Sequence, residues 1–600
     1  MRVVAQKGDF RVKAIAGTHT ILIAIDCPEP RRHGLLGFAF RREAVGRHAR
    51  GYKWLRSLKV FKSVIPEPQK ERDPRDPSRP RRFSTWEFPI QSFLWGDYTA
   101  EPGTRYRFAV VPMYGRPAAL KPAPGVTFEI RTEKAVAQGH GVWFNRAAIA
   151  SQAFAREFGN KAPADENNPK DPETAWLSRG LLEACLRFID KTPAGDGLRV
   201  AAYEFTYPPV LNALKAAVDR GVTVRIVYHD TTRSAGKAQG ANEKAIAEAG
   251  LTARMQRKRV LYPRTRTKIP HNKFILRLAG DKEPAAVWTG STNFTSSGFL
   301  GQANVGHVVE DPATARRYLA YWTLLKQDPE RAVARKGAMK LTPNPPPLIH
   351  ADAVAQVFSP RTRSELLGWY GDRIADAQET VMFTAAFGVT KALVAPLARD
   401  RDILRFILME KPPAQKVKLE LTKDRDLIIS WGASLGKMYT FKNGKPAARK
   451  NIKDFELDKW LLKEDHYRHE GFVFFVHTKF LLVDPLSDDP LVCSGSANFS
   501  PNSLLYNDEN MLLIRGNTRV ADIYLTEFDR IFRHFYFRNM ANEAEAKERQ
   551  GRGGEAKAIF LDETSNWTDA YFTPGAFKTR RRELFFADSQ RSWADKAAED

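Results

Sequence analysis

Two short stretches of the chain carry the same pair of chemically active side chains: His271 and Lys273 in HNKFILRL, and His477 and Lys479 in HTKFLLVD. Each is followed at nearly equal distance by a second cluster, Ser291 and Asn293 in GSTNFT, and Ser496 and Asn498 in GSANFS. Residues i and i+2 of a strand share a face, so each histidine points the same way as its lysine. A lone histidine on an apolar strand is ordinarily a core residue. Its recurrence with the same companions argues for a site. If the two copies meet about a pseudo-twofold axis, two imidazoles and two ammonium groups surround one anion. A phosphodiester suits that arrangement: one imidazole attacks phosphorus, the other protonates the leaving oxygen, and lysine, asparagine and serine groups hold the non-bridging oxygens. That chemistry requires neither a metal nor another cofactor.

The elements that must position these groups also recur. SRGLLEACLRFIDKT has helical apolar spacing, LRVAAYEFT reads as a strand, PPVLNALKAAVDRG as a helix stopped by Gly221, and VTVRIVYHD as a strand. This β-α-β order implies a parallel or mixed sheet with helices on its faces. VWFNR at 142–146 is answered by VFSPR at 357–361, and LRVAAYEFT by TVMFTAAFG at 380–388. Two diverged copies of one α/β lobe are expected, at 137–340 and 341–545, divided by the proline-rich LTPNPPPLIH. Residues 1–136 alternate apolar and polar positions over short segments broken by Pro and Gly, which predicts an all-β, sandwich-like domain. Residues 546–600 form a basic C-terminal extension.

The repeated HxK with GSxN resembles the phospholipase D superfamily, whose mark is a duplicated HxKxxxxD followed by GSxN. The second copy fits throughout, with His477, Lys479, Asp484, Gly495, Ser496 and Asn498. In the NDEN that follows, Glu509 stands where the family carries a carboxylate that orients the histidine, here assigned to His477. The first copy departs from the pattern: Leu278 matches Asp484, and in GQANVG Asn304 is aligned with Asn510, leaving no match for Glu509. Tyrosyl-DNA phosphodiesterases of the same superfamily also lack the aspartate. The resemblance implies two βαβ lobes related by a pseudo-twofold axis, a phosphohistidine intermediate and metal-independent hydrolysis. His271, Lys273, Asn293, His477, Lys479, Asn498 and Glu509 are the expected catalytic group, with Ser291, Ser496 and Asp484 contacting substrate.

Charge narrows the substrate. Lys and Arg number 94 against 69 Asp and Glu, a net +25, which favours a polyanionic partner. Residues 254–268, RMQRKRVLYPRTRTK, lie just upstream of His271 and mix basic with aromatic side chains. They predict a nucleic-acid groove in which Arg257, Lys258, Arg259, Arg264 and Arg266 meet phosphates. Residues 441–453 are read as the matching loop of the second lobe, 578–582 (KTRRR) as a tail that grips a backbone, and 70–82 as an exposed basic loop. His466 and His469 have i, i+3 spacing but no third metal ligand. Three scattered cysteines exclude a disulfide scaffold and suit a reducing, cytoplasmic setting. No run reaches the ~18–20 apolar residues of a membrane span. The leading expectation is a nuclease acting on DNA or RNA. A phospholipase D or phosphatidyl transferase acting on phospholipid is the first alternative, and a nucleic-acid-binding protein with a degenerate first lobe the second.

Overall fold

A computed structural model describes residues 1–46, 51, 53–57, 59–64, 72–73, 76–80, 82–146, 151–159, 161–230, 240–343, 353–399, 401–432, 440–442, 445–447, 475–549 and 560–586. The N-terminal region builds two antiparallel sheets. One orders Arg2–Lys7, Phe10–Ala16, Ile21–Asp26 and Leu94–Asp97; the other centres on Arg105–Arg116, flanked by Gly37–Ala44, Ala119–Pro122 and Val126–Arg131. Arg105–Arg116 alternates buried and more exposed positions along its first half. That is the pattern of a sheet with one dry and one wet face. The dry faces enclose Phe10, Ile23, Phe38, Phe93, Phe108 and Val126.

Beyond it the pattern of burial changes. Gly197–Ala202, Thr380–Ala385, Leu404–Met409 and Lys479–Val483 are buried at every position, as strands covered on both faces must be. The first lobe orders its main strands His140–Phe144, Val305–Val309, Glu283–Gly290, Lys273–Ala279, Gly197–Ala202, Thr223–His229 and Leu261–Arg264. The second repeats the order with Val354–Ser359, Glu509–Arg515, Leu491–Gly495, Lys479–Val483, Thr380–Ala385, Leu404–Met409 and Leu427–Trp431. In both, the strand carrying the lysine runs antiparallel to the first βαβ strand, which is parallel to the next. The fold is therefore α/β, with two lobes of mixed sheet that repeat one strand order after a β-rich domain.

The lobes share one core. Phe144, Phe274 and Val305 of the first sheet and Phe358, Phe406 and Phe480 of the second pack on Tyr318, Tyr321 and Trp322 of helix Pro312–Leu325 and on Tyr524, Phe528 and Phe532 of helix Thr518–Arg549. Separate clusters cover the outer faces with helices such as Pro208–Asp219 and Glu365–Ala375. Burying two sheet faces against a common layer fixes the lobes to each other, and the site at their junction inherits that rigidity.

The C-terminal extension differs from the expected tail. Phe560–Leu561 pairs with Val60–Phe61, and Trp567 stacks on Phe93 at 5.4 Å. The arginines of KTRRR are engaged: Arg580 with Asp402 and Asp426, Arg581 with Asp529, and Arg582 with Asp26. They tie the sandwich, the long helix and the second lobe together, so these three arginines do not act as a tail that grips a backbone. Residues 448–474, including His466 and His469, lie outside the described residues. Of 70–82 a pairing between Arg72–Asp73 and Asp76–Pro80 is described, while 70–71, 74–75 and 81 lie outside the described residues. Of 441–453 only a pairing between Thr440–Lys442 and Lys445–Ala447 is described.

Candidate active site

His271 and His477 sit just before their strands begin, at the C-terminal ends of the parallel pairs, and face each other across the lobe junction. Their ring centroids are 6.5 Å apart with planes inclined by 76°. Main-chain bonds between the lobes hold them there: the N–H groups of Ala303, His477 and Asp508 donate to the carbonyls of Phe475, Ala303 and Ile269 at 2.7, 3.2 and 3.1 Å. Both rings are buried, at 7% and 4% relative exposure.

Each ring is oriented by the opposite lobe. His271 Nδ1 lies 2.9 Å from Glu509 Oε2, and His477 Nδ1 lies 2.9 Å from Asn304 Oδ1. The expected pairing of Glu509 with His477 is thus corrected, and so is the alignment of Asn304 with Asn510. Ser291 Oγ donates to Asn304 Oδ1 and Ser496 Oγ to Glu509 Oε2, both at 2.8 Å. The Ser291 and Ser496 N–H groups bond the carbonyls of Val305 and Asn510. Asn304 therefore stands where Glu509 stands, one residue away from the alignment read in sequence. The Gly-Ser of each motif follows from this geometry. A Cβ on Gly290, whose φ is +137°, would lie 2.2 Å from Val305 O, and one on Gly495 2.3 Å from Asn510 O. Only glycine lets the serine strand approach its neighbour closely enough to hold the orienting side chain.

Glu509 is fully enclosed and accepts from Ser496, Ser503, Asn507 and His271. Burial favours its neutral form, but His271, Lys273 and these hydrogen bonds prevail and hold it below the usual carboxylate range. Burial depresses His271 to about 4 against the opposing pull of Glu509. Burial and then Lys479, Lys273 and His271 bring His477 well below its ordinary value. Lys273 and Lys479 turn their ammonium groups back to the carbonyls of His271 and His477, at 2.6 and 2.5 Å. Burial lowers Lys273 to about 8, and burial with Lys273 beside it lowers Lys479 strongly. Two cations in so confined a space favour an anion between them.

The asparagines differ. Asn498 Nδ2 makes no hydrogen bond among the described residues, whereas Asn293 Nδ2 donates to Glu204. Glu204 was not singled out in sequence. Its carboxyl lies among protein atoms of the cleft, and burial raises it against the lowering effects of Lys273 and Lys479. Beside it the Tyr203 ring meets His271 edge-on at 5.0 Å. The one available signal was positional: Tyr203 and Glu204 directly follow the strand that pairs with Lys273.

A family model described as "Cardiolipin synthase, PLD-like domain" matches residues 187–323 and 372–532, one segment in each lobe. The chain belongs to the phospholipase D superfamily. Among solved structures it is similar to the phosphatidylserine synthase of Haemophilus influenzae Rd KW20, at 11% identity over 62% of this chain and 90% of that one, with a TM-score of 0.41. It is also similar to Nuc, a phospholipase D family member from Salmonella typhimurium (24% identity, 32% of this chain and 95% of that one, TM-score 0.21). NucT from Helicobacter pylori matches at 15% identity over 30% of this chain and 96% of that one, with a TM-score of 0.21. No curated protein sequence matches the chain.

Against this superfamily's motif, Asp484 has a different place from the one expected. It lies beyond the far end of its strand from His477 and accepts from the N–H groups of Gln378, Glu379 and Thr380 at 2.8, 2.7 and 3.0 Å. It caps a turn and does not face the cleft. The basic stretch 254–268 is divided. Arg254–Met255 and Lys258–Arg259 pair in a short hairpin, with Arg257 at its turn, and Lys258 Nζ bonds Thr223 Oγ1. Thr223 aligns across the sheet with Gly197 and Leu278, whereas Lys273 aligns with Ala202. Five residues of strand, roughly 16 Å, therefore separate the hairpin's end of the sheet from the lysine's. Arg257, Lys258 and Arg259 do not flank the histidines.

Arg264 is fully buried and pairs with Asp508 and Asp328 at 2.9 and 2.7 Å. Occupied by two carboxylates, it cannot receive a phosphate. It anchors the residue next to Glu509 instead. Arg266 is 60% exposed on its side chain and pairs at 3.5 Å with Glu330. Among the described residues no cluster of three or more His, Cys, Asp or Glu side chains is placed to hold a metal, and no helix is long and apolar enough to cross a membrane.

Proposed function

We propose that the cleft hydrolyses phosphodiesters through a phosphohistidine on His271, with nucleic acid as substrate. The observation that carries the reading is the pair of facing imidazoles 6.5 Å apart, each with Nδ1 engaged by the opposite lobe. Contacts of about 3–3.5 Å on either side of phosphorus span such a gap. With Nδ1–H held by Glu509, His271 keeps its lone pair on Nε2, and the carboxylate stabilises the cation that forms when Nε2 bonds to phosphorus. His477 has only the neutral Asn304 carbonyl behind it. The negative charge of the bound substrate raises the proton affinity of its Nε2, which takes up a proton from solvent, and that proton passes to the leaving oxygen as the P–O bond breaks. Water then attacks phosphorus, gives its proton to His477 and displaces His271, releasing a phosphomonoester. Lys273, Lys479 and Asn498 stabilise the equatorial oxygens.

Nucleic acid is favoured by the net charge of +25. One observation speaks for a lipid: Phe387, at the second-lobe position matching Glu204, is 53% exposed and offers an apolar surface beside the site. Labelled single-stranded DNA, duplex DNA, RNA, phosphatidylcholine and bis-p-nitrophenyl phosphate, each incubated with the protein in EDTA, separate the cases. Cleavage of a nucleic acid and of the small ester with chelator present is expected. Consumption of phosphatidylcholine alone would establish the lipid reading, and loss of all activity until a divalent ion is restored would overturn the mechanism.

A further inference from the structure

The N-terminal domain holds a cavity of about 1100 Å³, larger than the ~300–1,000 Å³ of typical small-ligand sites. Its walls combine Trp54, Trp95 and Tyr106 with several cations. Two of those cations are already neutralised, Arg42 by Asp97 and Arg105 by Glu129. Lys53, Arg56 and Arg82 form no ion pair with any described residue. Arg56 and Arg82 are nonetheless close together: the Arg82 guanidinium donates to the Arg56 carbonyl at 2.5 Å, and Arg56 pairs in register with Ser84. Like charges gathered in a concave, partly enclosed wall concentrate a positive potential that an anion relieves. The cavity also reaches the catalytic body, because Tyr98 on its wall donates to Asp529 of the long helix at 2.9 Å.

We infer that this cavity is a second binding site, separate from the histidine cleft, for single-stranded nucleic acid. Its phosphates lie on Lys53, Arg56 and Arg82, and its bases lie against the indoles of Trp54 and Trp95. The mixture of unneutralised cations and aromatic walls is what a single strand requires, since its unpaired bases present faces that a duplex hides. A lipid bilayer would need an exposed apolar rim, whereas this wall alternates charge with aromatic rings. The site stands independently of the chemistry assigned to His271, because it concerns binding alone.

The test is fluorescence anisotropy of a labelled 12-mer, DNA or RNA, with the full-length His271→Ala chain and with the same chain carrying Arg56→Glu and Arg82→Glu. The reversals are expected to weaken single-strand affinity at least tenfold. They should also flatten the slope of log affinity against log salt by about 1.4, at ~0.7 per lost phosphate contact. Circular dichroism reports folding; should the reversed chain be unfolded, Arg56→Gln with Arg82→Gln replaces it, with a several-fold loss expected. Unchanged affinity and salt slope, or no binding of the 12-mer by the parent chain, overturns the site. So does tighter binding of duplex DNA or of phosphatidylserine vesicles through the same two arginines. Because no turnover is measured, a failed catalytic reading leaves this result intact, and the reverse holds as well.

Discussion

The two lobes repeat seven strands in the same order, yet they furnish the cleft unequally. The first-lobe histidine faces a carboxylate and the second-lobe histidine an amide, Glu509 and Asn304 occupying matched positions. Tyr203 and Glu204 of the first lobe correspond to Ala386 and Phe387 of the second, as the alignment of Ala202 with Lys273 and of Ala385 with Lys479 shows. Duplication supplies the scaffold and the shared anion site. Substitution at the few positions touching the imidazoles then separates their roles. Because each orienting group comes from the other lobe, the residue that tunes one histidine must be sought in the opposite copy.

The largest effect expected of any substitution tests this division directly. Replacing His271 or His477 by alanine should lower the rate at least about a thousandfold, since nucleophile and acid act as a unit. The two variants should differ in what they accumulate. With a labelled ester bearing a good leaving group, His477→Ala should trap phosphorus on His271, while His271→Ala should trap none. Label recovered on a peptide containing His477 would reverse the assignment.

A smaller loss, roughly a hundredfold, is expected for Glu509→Gln, which keeps a hydrogen-bond acceptor but removes the charge that stabilises the cationic intermediate. The pH profile adds a signed expectation. His271 must be neutral to attack, so kcat/KM falls as pH drops through its value of about 4. Glu509 pulls that value upward, so Glu509→Gln should move the acid limb to lower pH. Glu509 also holds up the Lys273 value of about 8, so the alkaline limb set by loss of the Lys273 charge should move to lower pH in the same variant. The reciprocal change, Asn304→Asp, gives His477 a carboxylate and makes its imidazolium a weaker acid, with a loss of about tenfold expected for poor leaving groups and less for good ones. A profile that moves equally in both variants would mean that the lobes are not differentiated by their orienting residues.

Much of this was legible in the sequence, for a physical reason. Strand residues two apart share a face, and a repeated HxK with GSxN therefore announced both the lobes and their convergence. The partner of each histidine was not legible, because hydrogen bonds across a pseudo-twofold axis join residues more than 170 positions apart. The slip of Asn304 against Asn510 arose from matching letters, asparagine with asparagine, where the sheet matches asparagine with glutamate. The basic stretch 254–268 misled through proximity in sequence. Its chain runs the length of the sheet between Arg259 and Arg264, so neighbours in sequence end at opposite ends of a lobe. Arg264 looked like a phosphate ligand because nothing local reveals that Asp508, far along the chain, neutralises it.

Glu204 offers a finer probe of the asymmetry. A carboxylate near two lysines moderates their charge and disfavours a second negative charge on the bound phosphate. Glu204→Gln retains an acceptor for Asn293 while removing that charge. Inhibition by tungstate, a dianion resembling the monoester product, should tighten several-fold, and kcat on the diester should change by less than about threefold. Tungstate inhibition left where it was would show that Glu204 serves only to hold Asn293.

The smallest expected effect concerns the hairpin of Arg257, Lys258 and Arg259. Reversing all three charges places the change at the end of the sheet remote from Lys273, roughly 16 Å away along the strands. At physiological ionic strength that distance exceeds the ~8 Å over which exposed charges act on one another. Turnover of bis-p-nitrophenyl phosphate should therefore stay within about twofold of the parent, with its pH limbs unmoved. Cleavage of a polymer is the sharper measurement, because a strand long enough to leave the cleft and cross the lobe would lose contacts there. If the reversals slow a long polymer but spare a dinucleotide, the hairpin belongs to a path beyond the cleft on the first lobe alone. If both substrates slow together, the hairpin is coupled to the imidazoles through the sheet, and the separation of the two ends argued from strand register does not hold.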